Sequence, residues 1–206
     1  MTAQRIVDRT AGWLGVAFLV TLLASEAALS LPAEDATASA VATFYAAHRS
    51  VIIMLQLVGF VACALLALFA WRLRVIDRAV TAAGLILAVT ALAPGLITLL
   101  LALTADPQHP ATASTYNRLE PRADDLLFVG ITLFAITVAL RLGRSPRWLG
   151  VVAVTVALLC LLRLALEALG RPRDVLDSLA PLSFLLLIAA LTWLSFRGYP
   201  TSDSSG

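Results

Sequence analysis

Lysine is absent from this chain, and all fifteen basic residues are arginine. Charge of either sign is scarce. Charged residues make up 14% and hydrophobic residues 60% of the 206 positions. A soluble domain carries about 25% charged residues, so a soluble fold is excluded. The net charge of +2 is too small to indicate a nucleic-acid partner. Lysine-free, alanine-rich composition reads as GC-rich coding bias. The only cysteines, Cys63 and Cys160, fall in apolar runs, so no disulfide framework is expected and both read as small reduced hydrophobes. Phosphate-binding loops, nucleophile elbows and zinc-helix patterns are missing. His48 and His109 have no ligand spacing around them, so neither a metal nor another cofactor is implied.

What is present is a series of long apolar runs. Crossing a bilayer takes about 20 mostly apolar residues in a helix. Continuous rather than alternating apolarity favours helices over a barrel. The runs place six transmembrane helices at about 12–31, 50–71, 79–103, 123–140, 148–169 and 178–196. The expected fold class is an all-α membrane protein: one six-helix domain over residues 1–200, with a Ser-rich disordered tail at 201–206. A signal peptide is the rival reading of the first run, but the run is long for an h-region and no clean A-x-A site follows it. Between the runs, Val41, Phe44 and Tyr45 have helical spacing and point to a short surface helix. Residues 104–122, rich in Pro, Thr, Asn and charge, read as irregular. No internal repeat is visible.

Arginine also orients the runs. One set of loops and ends holds Arg5, Arg9, Arg72, Arg74, Arg78, Arg141, Arg144, Arg147 and Arg197; the other holds Arg49, Arg118, Arg122, Arg171 and Arg173. The richer set is expected in the cytoplasm, with both termini. Trp13, Trp71, Trp148 and Trp193 adjoin that same set, and tryptophan favours the headgroup boundary. Most acids lie on the opposite side.

Ionisable residues at membrane depth are the candidates for function, because they are costly there. Glu26 is expected roughly 20 Å from the inner boundary and Arg163 roughly 22 Å. Glu167, Asp124, Asp125 and Arg49 gather at a similar height, on the outer third of the bundle. Arg163 and Glu167 are four apart and can pair on one helix face. Asp124 and Asp125 open the fourth run, where helix N-terminal N–H groups favour acids. Glu26 either pairs with Arg163, is protonated, or sits in a wet cavity. Arg49, Gln56 and Cys63 are spaced by seven and share a face. Thr90, Pro94 and Thr98 form a stripe at a proline kink, where hydroxyls serve freed carbonyls. Ligand-binding candidates are therefore Glu26, Arg49, Gln56, Asp125, Arg163 and Glu167; catalytic candidates are Glu26, Asp124 and Asp125.

Two stretches carry a resemblance: Thr43-Phe-Tyr-Ala-Ala-His-Arg49 with Trp71-Arg-Leu-Arg74, and Ser145-Pro-Arg-Trp-Leu-Gly150. With the six-run layout, the chain resembles an uncharacterised actinobacterial group of six-helix integral membrane proteins. The resemblance implies a fold and a location in a bacterial plasma membrane, and no catalytic residue. Three functions are open to such a chain. The first is binding of an apolar small molecule, lipid or membrane partner, a homodimer included, in an outward-facing cavity. The second is an intramembrane enzyme using carboxylates on a lipid-like or prenyl substrate. The third is a proton-coupled transporter, disfavoured by the missing repeat and the bare inner half.

Overall fold

The computed structural model describes residues 5–6, 8–26, 32, 36–143 and 146–200. Residues 27–31, Glu34, Asp35, Arg144 and the tail at 201–206 lie outside them. The helices are α1 (Arg9–Glu26), α2 (Ala38–Ala47), α3 (Arg49–Arg72), α4 (Arg78–Thr90), α5 (Leu92–Thr104), α6 (Pro110–Arg141), α7 (Arg147–Ala168) and α8 (Asp174–Arg197). A two-residue strand at each end, β1 (Arg5–Ile6) and β2 (Tyr199–Pro200), pairs antiparallel. Among the described residues, five spans are long and apolar enough to cross a membrane: α3 with its following turn, α4 and α5 together, α6, α7 and α8. That is the make-up of an all-α integral membrane protein.

Packing follows the apolar faces. α1 lies on α3 and α8, α6 lies on α4, α5 and α7, and α7 lies on α8. Phe69, Leu87, Phe134, Leu149, Leu187 and Leu191 form the main core. Small residues set the closest approaches. A Cβ on Gly15 would run into the Thr192 hydroxyl, so α1 can sit this close to α8 only with glycine there. Asp8 fixes the start of α1 by accepting from Ala11 N at 3.0 Å and pairing with Arg72 at 2.9 Å. Asp77 caps α4 in the same way, accepting from Ala79 N at 2.7 Å and Val80 N at 3.1 Å.

Two details depart from the sequence reading. The third run is one span, Arg78–Thr104, and its expected proline kink is a break at Ala91 between α4 and α5, because Pro94 has no N–H to offer the Thr90 carbonyl. Thr90 donates instead to Leu87 O at 3.0 Å, and Thr98 bonds elsewhere, so neither hydroxyl serves the freed carbonyl. The second correction concerns residues 104–122, which are helical from Pro110 onward. Proline is tolerated in a helix's first turn, where its missing N–H has no intrahelical partner. Tertiary burial then overrides the polar composition: Ala113 is fully buried with Val41, Ala42, Tyr45 and Leu101. α6 is thus 32 residues long, about 48 Å against a hydrocarbon core of about 30 Å. Its first half and α2 form a small cap with its own core.

Candidate functional site

Arg163 of α7 is the organising residue. It is 3% exposed, its Nε donates to Asp177 Oδ1 at 2.7 Å, and its Nη1 donates to Asp125 Oδ1 at 3.0 Å. Its guanidinium carbon lies 3.9 Å from the centroid of the Phe128 ring. A buried guanidinium needs such partners, since an unpaired charge in an apolar interior is costly. Asp177 also holds Arg173 Nε at 3.2 Å, and Arg173 pairs with Glu167. The result is a chain of charges, Asp125–Arg163–Asp177–Arg173–Glu167, joining α6, α7 and α8.

This corrects the expected Arg163–Glu167 pair. The two share a helix, but Arg163 turns inward to α6 and α8, and Glu167 takes Arg173 instead. It also corrects the capping reading of Asp124 and Asp125. Because α6 begins at Pro110, both acids sit in mid-helix, where no free N–H groups point at them.

Beside this network is a partly open cavity of about 720 Å³ lined by residues of α1 and α3 to α8. Its walls are mostly apolar, including Phe18, Leu66, Leu87, Ile131 and Phe184. Its polar lining includes Gln56, Thr98, Glu120, Asp124, Arg163, Arg173 and Asp177. Thr98 donates to Glu120 Oε1 at 2.9 Å. No hydrogen bond or ion pair holds the Asp124 carboxylate among the described residues; its electrostatic neighbours are Glu120, Arg163, Asp125 and Arg173. Tyr45, buried in the cap, has its phenol pushed well above the usual range by burial and then by the charge of Glu120. The cap therefore adjoins the polar end of the cavity.

Of the sequence candidates, Gln56, Asp124 and Arg163 line the cavity. Asp125 and Glu167 belong to the charge chain that frames it. Arg49 is exposed and donates to Ala105 O at 2.7 Å, closing the end of α5 rather than lining the cavity. The Glu26 side chain lies outside the described residues, although the preceding Ser25 lines the cavity. Glu120, Arg173 and Asp177 fall between the apolar runs and so are not among the sequence candidates. The signal for them was spacing: Glu120 and Asp124 are four apart, as are Arg173 and Asp177, which marks helix faces continuing past the assumed boundaries.

Fold and site together define a helical, membrane-embedded protein with a partly open, polar-ended cavity. No family model, curated protein or solved structure matches the chain.

Proposed function

We propose that this is a polytopic protein of a bacterial plasma membrane that binds an amphiphilic small molecule or lipid in its central cavity. The cavity carries the reading: about 720 Å³ of mostly apolar space with charged and amide groups gathered at one end. Apolar walls with a few convergent polar groups are the usual form of a small-molecule site. The apolar body of a ligand would lie among Phe18, Leu66 and Phe184, with a hydrogen-bond-donating head against Asp124. α1 spans 18 residues, about 27 Å, which supports counting it as a sixth crossing. The β1–β2 pairing supports both ends lying on one side, and the arginine bias supports that side being the cytoplasm. The cavity's polar end would then face outward. Such a protein fits the six-helix actinobacterial group that the sequence resembles.

Gly59 provides the test, because it lines the cavity and a Cβ there meets nothing within 4 Å. Native mass spectrometry of detergent-purified wild type is expected to show a retained small molecule or lipid. Gly59→Phe, which fills the cavity, is expected to lose it while keeping its unfolding midpoint. Identical spectra from the two proteins would overturn the reading.

One observation favours a second reading. Asp124 lines the cavity without a hydrogen-bond partner among the described residues, as a proton-transferring group must be free to do. An intramembrane enzyme acting on a lipid-like or prenyl substrate would use it as acid or base. Asp124→Asn would then retain the bound molecule but accumulate it unconverted. Retention with no change in the molecule's identity would leave simple binding.

A further inference from the structure

A second apolar hollow lies on the outer surface, away from the cavity. It is a groove of about 460 Å³ between α7 and α8, lined by Trp148, Val152, Val156, Ser183, Ala189 and Trp193 among others. On α7 it runs from Trp148 to Val156, and on α8 from Trp193 back to Ser183. At 1.5 Å per residue these are about 12 and 15 Å. Half of a hydrocarbon core of about 30 Å is one leaflet. The groove therefore has the depth of one lipid tail, starting at the end where the tryptophans cluster.

Its mouth is built for charge. Trp148 and Trp193 meet edge to face, with centroids 5.9 Å apart. The Arg197 guanidinium sits 4.7 Å from the Trp193 ring centroid, and Arg147 precedes Trp148 at the start of α7. Both arginines are exposed. Among the described residues, the acids at this end are already engaged: Asp8 with Arg72, and Asp77 with Arg141 at 4.0 Å. Arg147 and Arg197 thus present positive charge at headgroup level with no carboxylate paired to them among the described residues. Basic residues at the ends of the two helices that flank an apolar slot match an anionic headgroup and its tail.

We infer that the α7–α8 groove binds one anionic phospholipid of the surrounding bilayer, with a tail between Val152 and Ala189 and its phosphate at Arg147 and Arg197. This site is independent of the cavity and does not rest on it. Tryptophan anchors keep the headgroup level fixed, so the groove holds the tail and the guanidiniums select the charge.

Purified protein given equal amounts of phosphatidylglycerol and phosphatidylcholine, followed by native mass spectrometry, tests this. Wild type should retain phosphatidylglycerol preferentially. Arg147→Gln/Arg197→Gln should lose that preference by roughly tenfold to thirtyfold. Ala189→Phe, which plugs the groove, should lose both lipids there. High salt should weaken the preference of wild type, a readout that survives if a variant fails to fold. Equal retention of the two lipids by wild type would overturn the proposal, as would a salt-independent preference. So would an Ala189→Phe protein that converts a dimer to a monomer with lipid retention unchanged, which would make the groove a contact between copies.

Discussion

Arg163 holds carboxylates from two other helices while being 3% exposed, which makes it the most consequential single side chain in the bundle. Arg163→Met removes the cation, leaves Asp125 without its partner and leaves Asp177 with Arg173 alone. A loss of about 3 kcal/mol is expected, the lower end for breaking a buried pair, because both acids keep some exposure. Unfolding in graded denaturing detergent would measure it. Replacing Asp125 by Leu in the same protein should restore much of that stability, since the carboxylate left unpaired rather than the missing arginine causes the loss, while Asp177 keeps Arg173. Tyr45 gives a pH signature. Its phenol is raised in the folded protein by burial and by Glu120, so the unfolded chain loses that proton first, near the ordinary value of about 10. Stability attributable to Tyr45 is complete below that pH and declines as pH rises above it. Tyr45→Phe should flatten the alkaline limb of a stability–pH curve, and an unchanged limb would remove Tyr45 from the account.

Among the elements, α1 depends on close approach. Thr192 Oγ1 is buried without a hydrogen-bond partner among the described residues, directly over Gly15. Gly15→Val should cost roughly 1–3 kcal/mol by forcing α1 away from α8. Thr192→Ala should be neutral or stabilising, because it removes an unsatisfied hydroxyl. Thermal unfolding of the two variants would separate these outcomes, and a destabilised Thr192→Ala would show that the hydroxyl is satisfied after all. Elements were legible in the sequence where hydrophobicity alone decides them. The apolar cores of α3, α7 and α8 could be read directly, and the spacing of Val41, Phe44 and Tyr45 marked α2. The first half of α6 was not legible, because its helicity comes from burying Ala113 against α2 and α5 rather than from an apolar run. That one boundary misplaced Glu120, Asp124 and Asp125. The partner of Arg163 was equally hidden: an i, i+4 neighbour is visible in sequence, while Asp125 lies 38 residues away on another helix.

At the scale of the whole molecule, the ends of the bundle are unlike. Trp13, Trp71, Trp148 and Trp193 are all exposed near one end, at 67, 48, 42 and 45%. Arg74 and Arg197 stack over Trp71 and Trp193 there. The opposite end carries the cap, the charge chain and the polar part of the cavity. Cysteine labelling at Ala111 and at Arg74 with an impermeant thiol reagent should modify Ala111→Cys in intact cells and spare Arg74→Cys. The reverse pattern would invert the orientation. Tryptophan belts fix depth in a bilayer, and this protein wears its belt at one end only. It resembles a pile driven from one bank: moored at one interface, free at the other. Thinning the bilayer would leave the mooring in place and lower the far water line towards Arg163 and Asp124. Occupancy of the cavity by the proposed ligand should therefore respond to acyl-chain length, so that a change in membrane thickness becomes a change in that ligand's hold.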